Sequence, residues 1–280
     1  MNTVLYIHKP KGMTSFDICR KLRKVFFTSK IGHTGTLDPN ATGVMVILVG
    51  SAAKCSQYLS SDKKEYIATV RLGTETDTLD VDGNVIKEET PGAYDPEKLK
   101  KILESYKGEG IQIPPMTSAI KVAGKKLYQY QREGKEVEVS PRKITVYDIE
   151  LLSHEDTSFV FRAEVSGGTY IRALMRDILR DLGEIGTLED LVRTKIDDIS
   201  LSDCDELSDV LEGRYHEHTP YELLSKRYEC VEVENSEDVL HGKKIAFDAE
   251  EERILVVKGN TALAMYRKDD GIYRCERGLL

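Results

Sequence analysis

An acid set in a glycine-rich frame is the first candidate for chemistry in this chain. Asp38 lies within Gly32-His33-Thr34-Gly35-Thr36-Leu37-Asp38-Pro39-Asn40-Ala41-Thr42-Gly43, which gives way to the apolar run Val44–Val49. The glycines open backbone conformations closed to other residues, and Pro39 pushes Asp38 towards an extended conformation. A loop so constrained, feeding a buried strand, can hold one carboxylate in a fixed place. By residue type alone, a turn residue and a reagent are equally good readings of Asp38. Three distant residues could serve the same chemistry. Tyr66 opens a strand whose same-side neighbours Ala68, Val70 and Leu72 are apolar, so a core aromatic is its plain alternative. Arg172 falls in the first turn of a helix after Gly167-Gly168, where free N–H groups and the helix dipole favour anions. Spaced i, i+4, i+8 with Arg176 and Arg180, it could instead belong to a solvated stripe. His33 could be a loop side chain bonded to backbone.

Other chemistries leave no signature. The chain has no nucleophile elbow, no Walker loop and no G-x-G-x-x-G. His216 and His218 form an H-x-H, but in a polar loop solvation is the better reading than metal ligation. Thr78 to Gly83, with Glu89 at the twelfth place, faintly resembles a calcium loop. It lacks the first acid and flanking helices, so Asp82-Gly83 reads as a hairpin turn.

The elements that must position these residues alternate without a βαβ rhythm. Val4 to Ile7 reads as a strand, and Thr14 or Ser15 caps a helix to about Phe27 whose apolar face is Ile18, Leu22, Val25 and Phe26. Arg20, Lys21, Arg23 and Lys24 fall largely away from that face. A short helix is expected over 51–60, a strand over 65–73 and a second strand at Val85-Ile86. Asp95-Pro96 opens a helix to about Tyr106. Residues 142–152 and 158–166 read as a hairpin. Thr169 is expected to cap a helix to Leu182, with Gly183 at its end. Residues 197–227 show no strong core pattern, which suggests a boundary between a domain of residues 1–227 and one of 228–280. The second holds four short strands with turns at Gly259-Asn260 and Asp270-Gly271, the pattern of a small β-barrel.

Length and composition suit a globular protein with one large domain or a large and a small one: 280 residues, 40% hydrophobic and 31% charged. No segment resembles a signal peptide or reaches the ~18–20 apolar residues of a membrane span. Five scattered cysteines without C-x-x-C spacing argue against a disulfide framework or zinc site, and the cytoplasm is the expected location. The net charge of −8 hides an uneven distribution. Residues 1–37 carry seven Lys/Arg against Asp17 alone, and residues 119–147 carry seven against three acids. Residues 197–240 carry fourteen acids against three basic residues. Screening beyond ~10 Å lets one protein be basic where it meets a polyanion and acidic elsewhere.

The loop around Asp38 strongly resembles the signature of the TruB family of pseudouridine synthases, which isomerise uridine 55 in the T loop of tRNA. Further matches follow in the family's order: His8-Lys9-Pro10-x-Gly12-Met13-Thr14-Ser15, Tyr66 to Gly73, and Thr76-Asp77-Thr78-x-Asp80-x-Asp82-Gly83. Ile113-Pro114-Pro115-Met116-x-Ser118-Ala119-x-Lys121-x-x-Gly124-x-x-Leu127-Tyr128 and Gly168-Thr169-Tyr170-Ile171-Arg172 complete the set. The resemblance spans nearly all of residues 3–195. It implies an α+β pseudouridine synthase fold, a bent, mainly antiparallel mixed sheet with flanking helices, followed by a small PUA-like RNA-binding barrel. It implies that Asp38 is the nucleophilic or electrostatic carboxylate and that Tyr66 stacks on the flipped uracil. It makes Arg172 the partner of the aspartate and lets His33 fill the gap left by the extruded base. Lys9 and Tyr170 are expected to bind substrate. A thumb-like segment over about 113–140 is expected to close on the RNA, with Lys121, Lys125 and Lys126 at phosphates. The resemblance further implies a tRNA substrate, no cofactor or metal, no membrane, no obligate protein partner and a monomer. An RNA-guided synthase or a catalytically silent RNA-binding protein are the alternatives.

Overall fold

The computed structural model describes residues 2–59, 63–135 and 137–280. In chain order, strand β1 (Thr3–Lys9) leads to helix α1 (Ser15–Val25), β2 (Ile31–His33) and β3 (Thr42–Val49). Thr14 caps α1: its hydroxyl accepts from the Asp17 N–H at 3.0 Å, and the Asp17 carboxylate accepts from the Thr14 N–H at 3.1 Å. A 3₁₀ helix (Gly50–Tyr58) precedes β4 (Lys64–Leu72), the hairpin of β5 (Thr74–Thr76) and β6 (Val85–Glu88), and α2 (Pro96–Ser105). Next come β7 (Gly108–Gln112), a tight hairpin of β8 (Lys121–Val122) and β9 (Lys125–Lys126), and α3 (Leu127–Arg132). The long pair β10 (Arg142–Glu155) and β11 (Ser158–Val165) leads to α4 (Ile171–Leu182), β12 (Gly186–Ile196) and β13 (Ile199–Ser200). The chain continues with β14 (Asp205–Glu206), α5 (Leu207–Leu211), α6 (Pro220–Leu224), β15 (Glu229–Glu232) and α7 (Glu237–Leu240). The last strands are β16 (Arg253–Lys258), β17 (Thr261–Asp269) and β18 (Ile272–Gly278).

These elements divide into two compact units. The first comprises Met1–Pro39, Val44–Ser60 and Leu201–Leu280. In it β1 lies between β14 and β3, with β2 antiparallel on β3. The apolar face of α1 covers this sheet: Ile18, Leu22 and Phe26 pack in one buried cluster with Leu5, Ile7, Met45 and Ile47. Leu207 and Val210 of α5 join that cluster, which corrects the expectation that residues 197–227 lack core positions. A helix of five residues is too short to display a 3.6-residue period. The C-terminal strands form a sheet in the order β15-β16-β17-β18 over a cluster that includes Ile254, Val256, Tyr266 and Tyr273. Among the described residues these strands follow one open order rather than a closed barrel.

The second unit comprises Asn40–Gly43 and Ser61–Ser200. Its strands run β12-β4-β11-β10-β7, paired antiparallel throughout. Tyr66, Ala68, Val70 and Leu72 are all buried, as their alternation predicts. On α2 and α4, Tyr106 donates to the Asp181 carboxylate at 2.7 Å and Lys98 donates to the Leu182 carbonyl at 3.0 Å.

Candidate active site

In the first unit both neighbours of Asp38 are pinned. The Ser15 hydroxyl accepts from the Leu37 N–H at 2.9 Å and donates to the Leu37 carbonyl at 3.2 Å. The Pro39 carbonyl accepts from the Gly12 N–H at 2.9 Å and from the Lys9 ammonium at 3.1 Å. Lys9 is fully buried, and a second bond to the Pro10 carbonyl helps to offset the cost of that burial. Asp38 itself is half-buried between these anchors. His33 ends β2 opposite Ile47, and the next residue ties back through the Thr34 N–H to the Val46 carbonyl at 3.2 Å.

The end of the same loop belongs to the second unit, where Thr42 and Gly43 pair in parallel with Val192 and Arg193 of β12. Gly43 has φ +111°, and a Cβ there would fall 2.8 Å from the backbone N and C of Arg193 and nearer still to its carbonyl oxygen. Only glycine allows that approach. Arg193 is in turn the partner of Tyr66 on β4, and Tyr66 the partner of Ala163 on β11. One row across four strands therefore runs Gly43, Arg193, Tyr66, Ala163. Tyr66 is 7% exposed and Arg193 1%, so a buried guanidinium and a buried phenol stand side by side.

Arg172 separates from the other arginines of α4. It is 4% exposed, whereas the side chains of Arg176 and Arg180 are 34% and 68% exposed. Its guanidinium donates to the Thr78 carbonyl at 2.8 Å and the Thr117 carbonyl at 2.9 Å, and it lies 3.5 Å from the Asp80 carboxylate. A solvated stripe is thereby ruled out for Arg172. The turn that meets it is tightly bonded: Asp80 accepts from the Thr78 hydroxyl at 2.6 Å and from the Asp82 N–H at 3.1 Å. Asp77 accepts from the Asn84 backbone and side chain at 2.9 and 3.1 Å. These carboxylates hold a hairpin turn, and among the described residues no His, Cys, Asp and Glu group is arranged to hold a metal.

The start of α4 corrects one expectation. Tyr170, not Thr169, is the N-cap residue. The Thr169 hydroxyl is instead within 3.3 Å of the Ser166 hydroxyl, and the buried Gln112 supplies the local order. The Gln112 amide accepts from the Tyr170 N–H at 2.9 Å and donates to the Tyr170 carbonyl at 3.1 Å.

The β8–β9 hairpin turns through Ala123 and Gly124 at φ +48° and +82°, the two left-handed residues of a type I′ turn. Its register sets Lys121 directly opposite Lys126 and Val122 opposite Lys125. Two like charges on one pair repel unless an anion joins them. Lys125 is paired with Glu133 and sits 4.8 Å over the Tyr130 ring, while Lys126 and Arg132 flank Tyr128 at 5.6 and 5.4 Å. The hydrogen bond from Lys125, then that from Lys135, holds the Glu133 carboxyl below its usual range.

Sequence reasoning assigned no role to Asp80, Gln112 or Arg193. Asp80 belongs to the Thr76–Gly83 motif, which by itself gives it no task. Gln112 and Arg193 lie on strands that carry no clean alternation. No helix among the described residues is long and apolar enough to cross a membrane.

The chain is similar to proteins of one family over most of its length. The model of the TruB family pseudouridylate synthase, N-terminal domain, matches residues 23–171. A tRNA pseudouridine synthase B of Clostridium tetani is 40% identical over 273 residues, 96% of this chain and 93% of that protein. Its counterpart in Bacillus subtilis is 45% identical over 230 residues, 78% of this chain and 74% of that protein. Among solved structures, a chain of a Cbf5-Nop10-Gar1 complex superposes with a TM-score of 0.75 at 22% identity, over 99% of this chain and 85% of that one. That likeness speaks for the fold alone.

Proposed function

The chain belongs to the TruB family of pseudouridylate synthases, and from that premise we propose that it isomerises uridine 55 in the T loop of tRNA to pseudouridine. The reaction breaks the N1–C1′ bond, turns the detached uracil and joins C5 to C1′. The base loses the proton at C5 and gains one at N1, so nothing is oxidised and no redox partner is consumed. A base in a folded loop must first leave its stack, which costs a few kcal/mol and calls for contacts along the backbone.

Asp38 is the nucleophile at C1′, the task of carboxylates in glycoside chemistry. Tyr66 is the aromatic platform that retains the detached uracil, and Tyr170 contributes to its pocket. Arg172 is the cation that favours the ionised carboxylate. His33 occupies the gap in the RNA stack, and Lys9 serves the substrate through the Pro39 carbonyl it holds. Lys121, Lys125 and Lys126 meet phosphates, and the crowding of Lys121 against Lys126 supports an anion at that hairpin. Residues 228–280 act as a PUA-like RNA-binding module, a reading supported by the four-stranded C-terminal sheet.

The observation that carries the reading is the doubly pinned frame of Asp38. A turn residue would not require a buried lysine and a buried serine on the two adjacent backbone units. The test is incubation with an unmodified tRNA transcript and mapping of pseudouridine. Asp38→Asn is expected to abolish isomerisation while leaving tRNA affinity within about twofold. Turnover by that variant at the wild-type rate refutes the assignment.

A further inference from the structure

The solvent face of α1 presents a pattern that the isomerase chemistry does not use. Phe16, Arg20, Lys24 and Phe27 are exposed, and Arg23 lies among them half-buried. At 100° per residue, positions 16, 20, 23 and 24 share one side of the helix, over about 12 Å of its axis, and Phe27 follows the C-cap residue Phe26 just beyond the helix end. Along the chain two exposed phenylalanines bracket three of these cations.

Phe27 is the informative member. Its neighbour Phe26 turns inward against Tyr215, with ring centroids 5.3 Å apart. Phe27 turns outward, 94% exposed, with φ +47°. That left-handed conformation favours glycine or asparagine, and water favours almost any residue over phenylalanine. Neither the fold nor solubility accounts for phenylalanine there. A ring presented to solvent suits a flat partner.

The charges indicate which partner. Asp17 is the one acid of residues 1–37, and it is engaged by Thr14 and by Arg20 at 2.8 Å. Arg23, Lys24 and Lys30 have no carboxylate partner among the described residues. The Arg23 guanidinium lies 5.3 Å over the Phe16 ring, and its Nε–H is buried without an acceptor. Uncompensated cations between exposed rings, in a chain of net charge −8, match a polyanion that also carries flat faces. Nucleic acid has both, and single-stranded segments are bound in this way, by phosphate neutralisation together with stacking on aromatic side chains.

We propose that the solvent face of α1 together with Phe27 just past its C-cap is an additional RNA contact that holds unpaired nucleotides of the substrate, with Phe27 stacking on a base and Lys24 and Lys30 at flanking phosphates. This rests on the RNA substrate argued above. It adds a stacking site outside the residues assigned to isomerisation.

The test measures the affinity of the full chain for an unmodified tRNA transcript across a salt series. Phe27→Gly removes the ring and relieves the positive φ, so the fold is retained, as circular dichroism will record. Loss of one base stack weakens binding roughly five- to hundredfold with the salt slope unchanged. Lys24→Gln is expected to reduce that slope by about 0.7–0.9. Leu152→Ala, which removes an exposed apolar side chain elsewhere, is expected to bind as the wild type does. Phe27→Gly affinity within twofold of wild type overturns the proposal, as does an equal loss in Leu152→Ala. Binding to phosphatidylglycerol vesicles that Phe27→Gly abolishes, with tRNA affinity intact, overturns it in favour of a lipid surface. If the wild type forms no pseudouridine but Phe27→Gly still loses affinity, the substrate assignment fails and the RNA contact stands.

Discussion

Gly43→Ala puts the end of the signature loop under direct test. The added Cβ meets the Arg193 backbone: its N and C at 2.8 Å, and its carbonyl oxygen closer still. None of these atoms can rotate away as a side chain would, so β3 and β12 must separate by about an ångström to restore van der Waals contact. Separation weakens the ladder at Thr42–Val192 and Gly43–Arg193, where each hydrogen bond contributes about 0.5–1.5 kcal/mol. Alanine at φ +111° adds ~1–2 kcal/mol of backbone strain. The sum is roughly 2–4 kcal/mol, or about 5–15 °C in Tm for a unit of this size. Thermal unfolding followed by circular dichroism measures it, with Gly32→Ala in the same loop as the comparison. Gly32 has open space at its Cβ position and no positive φ, so its variant is expected within ~0.5 kcal/mol of wild type. A Gly43→Ala protein that melts with the wild type and forms pseudouridine at the same rate contradicts a clash at the Arg193 backbone.

Three further outcomes follow from the geometry. Gln112→Ala removes both bonds to the Tyr170 backbone and is expected to cost about 1–3 kcal/mol, read by urea unfolding. Arg172→Lys keeps the charge but cannot reach Thr78, Thr117 and Asp80 together, so kcat for tRNA isomerisation is expected to fall at least tenfold in single-turnover assays. The Glu133 carboxyl is held below its ordinary value of 4.5. A depressed carboxylate contributes stability above its unfolded pKa and loses it as pH falls through the folded pKa, so the Lys125–Glu133 clasp holds at neutral pH and opens in acid. Proton NMR of Tyr130 is expected to titrate with a midpoint below 4.5, and Glu133→Gln to remove that transition; a midpoint at or above 4.5 contradicts the clasp.

Local signals carried much of the fold into the sequence. Thr14 and Asp17 announce the start of α1 because a capping box is closed within four residues. The alternation of β4 and the Asp270-Gly271 turn are likewise readable over short spans. By contrast, β12 is opaque because its ladder with β4 shifts register at Leu188/Asp190 and again at Arg193/Lys195, which breaks the period of two. Strand β7 contains Gly108, Glu109 and Gly110, which resemble loop residues until pairing with β10 buries Gln112. Glycines and Pro39 marked Asp38 as constrained, yet its anchors Ser15 and Lys9 act on residues 22 and 30 positions away. No spacing rule spans that distance.

The row Gly43–Arg193–Tyr66–Ala163 also has a bearing on how this region can change. The span from the loop's exit to the aromatic is set by two inter-strand steps, about 10 Å in all. Backbone pairing adjusts in whole residues, and a slip of one residue turns every side chain to the opposite face. This span therefore has no graded variants: it is kept or it is lost. The β8–β9 hairpin, partly exposed, carries no comparable constraint, since side chains there can vary without disturbing the ladder. Differences in RNA preference among proteins of this architecture are expected to accumulate on that hairpin, while the row acts as a gauge block of constant length.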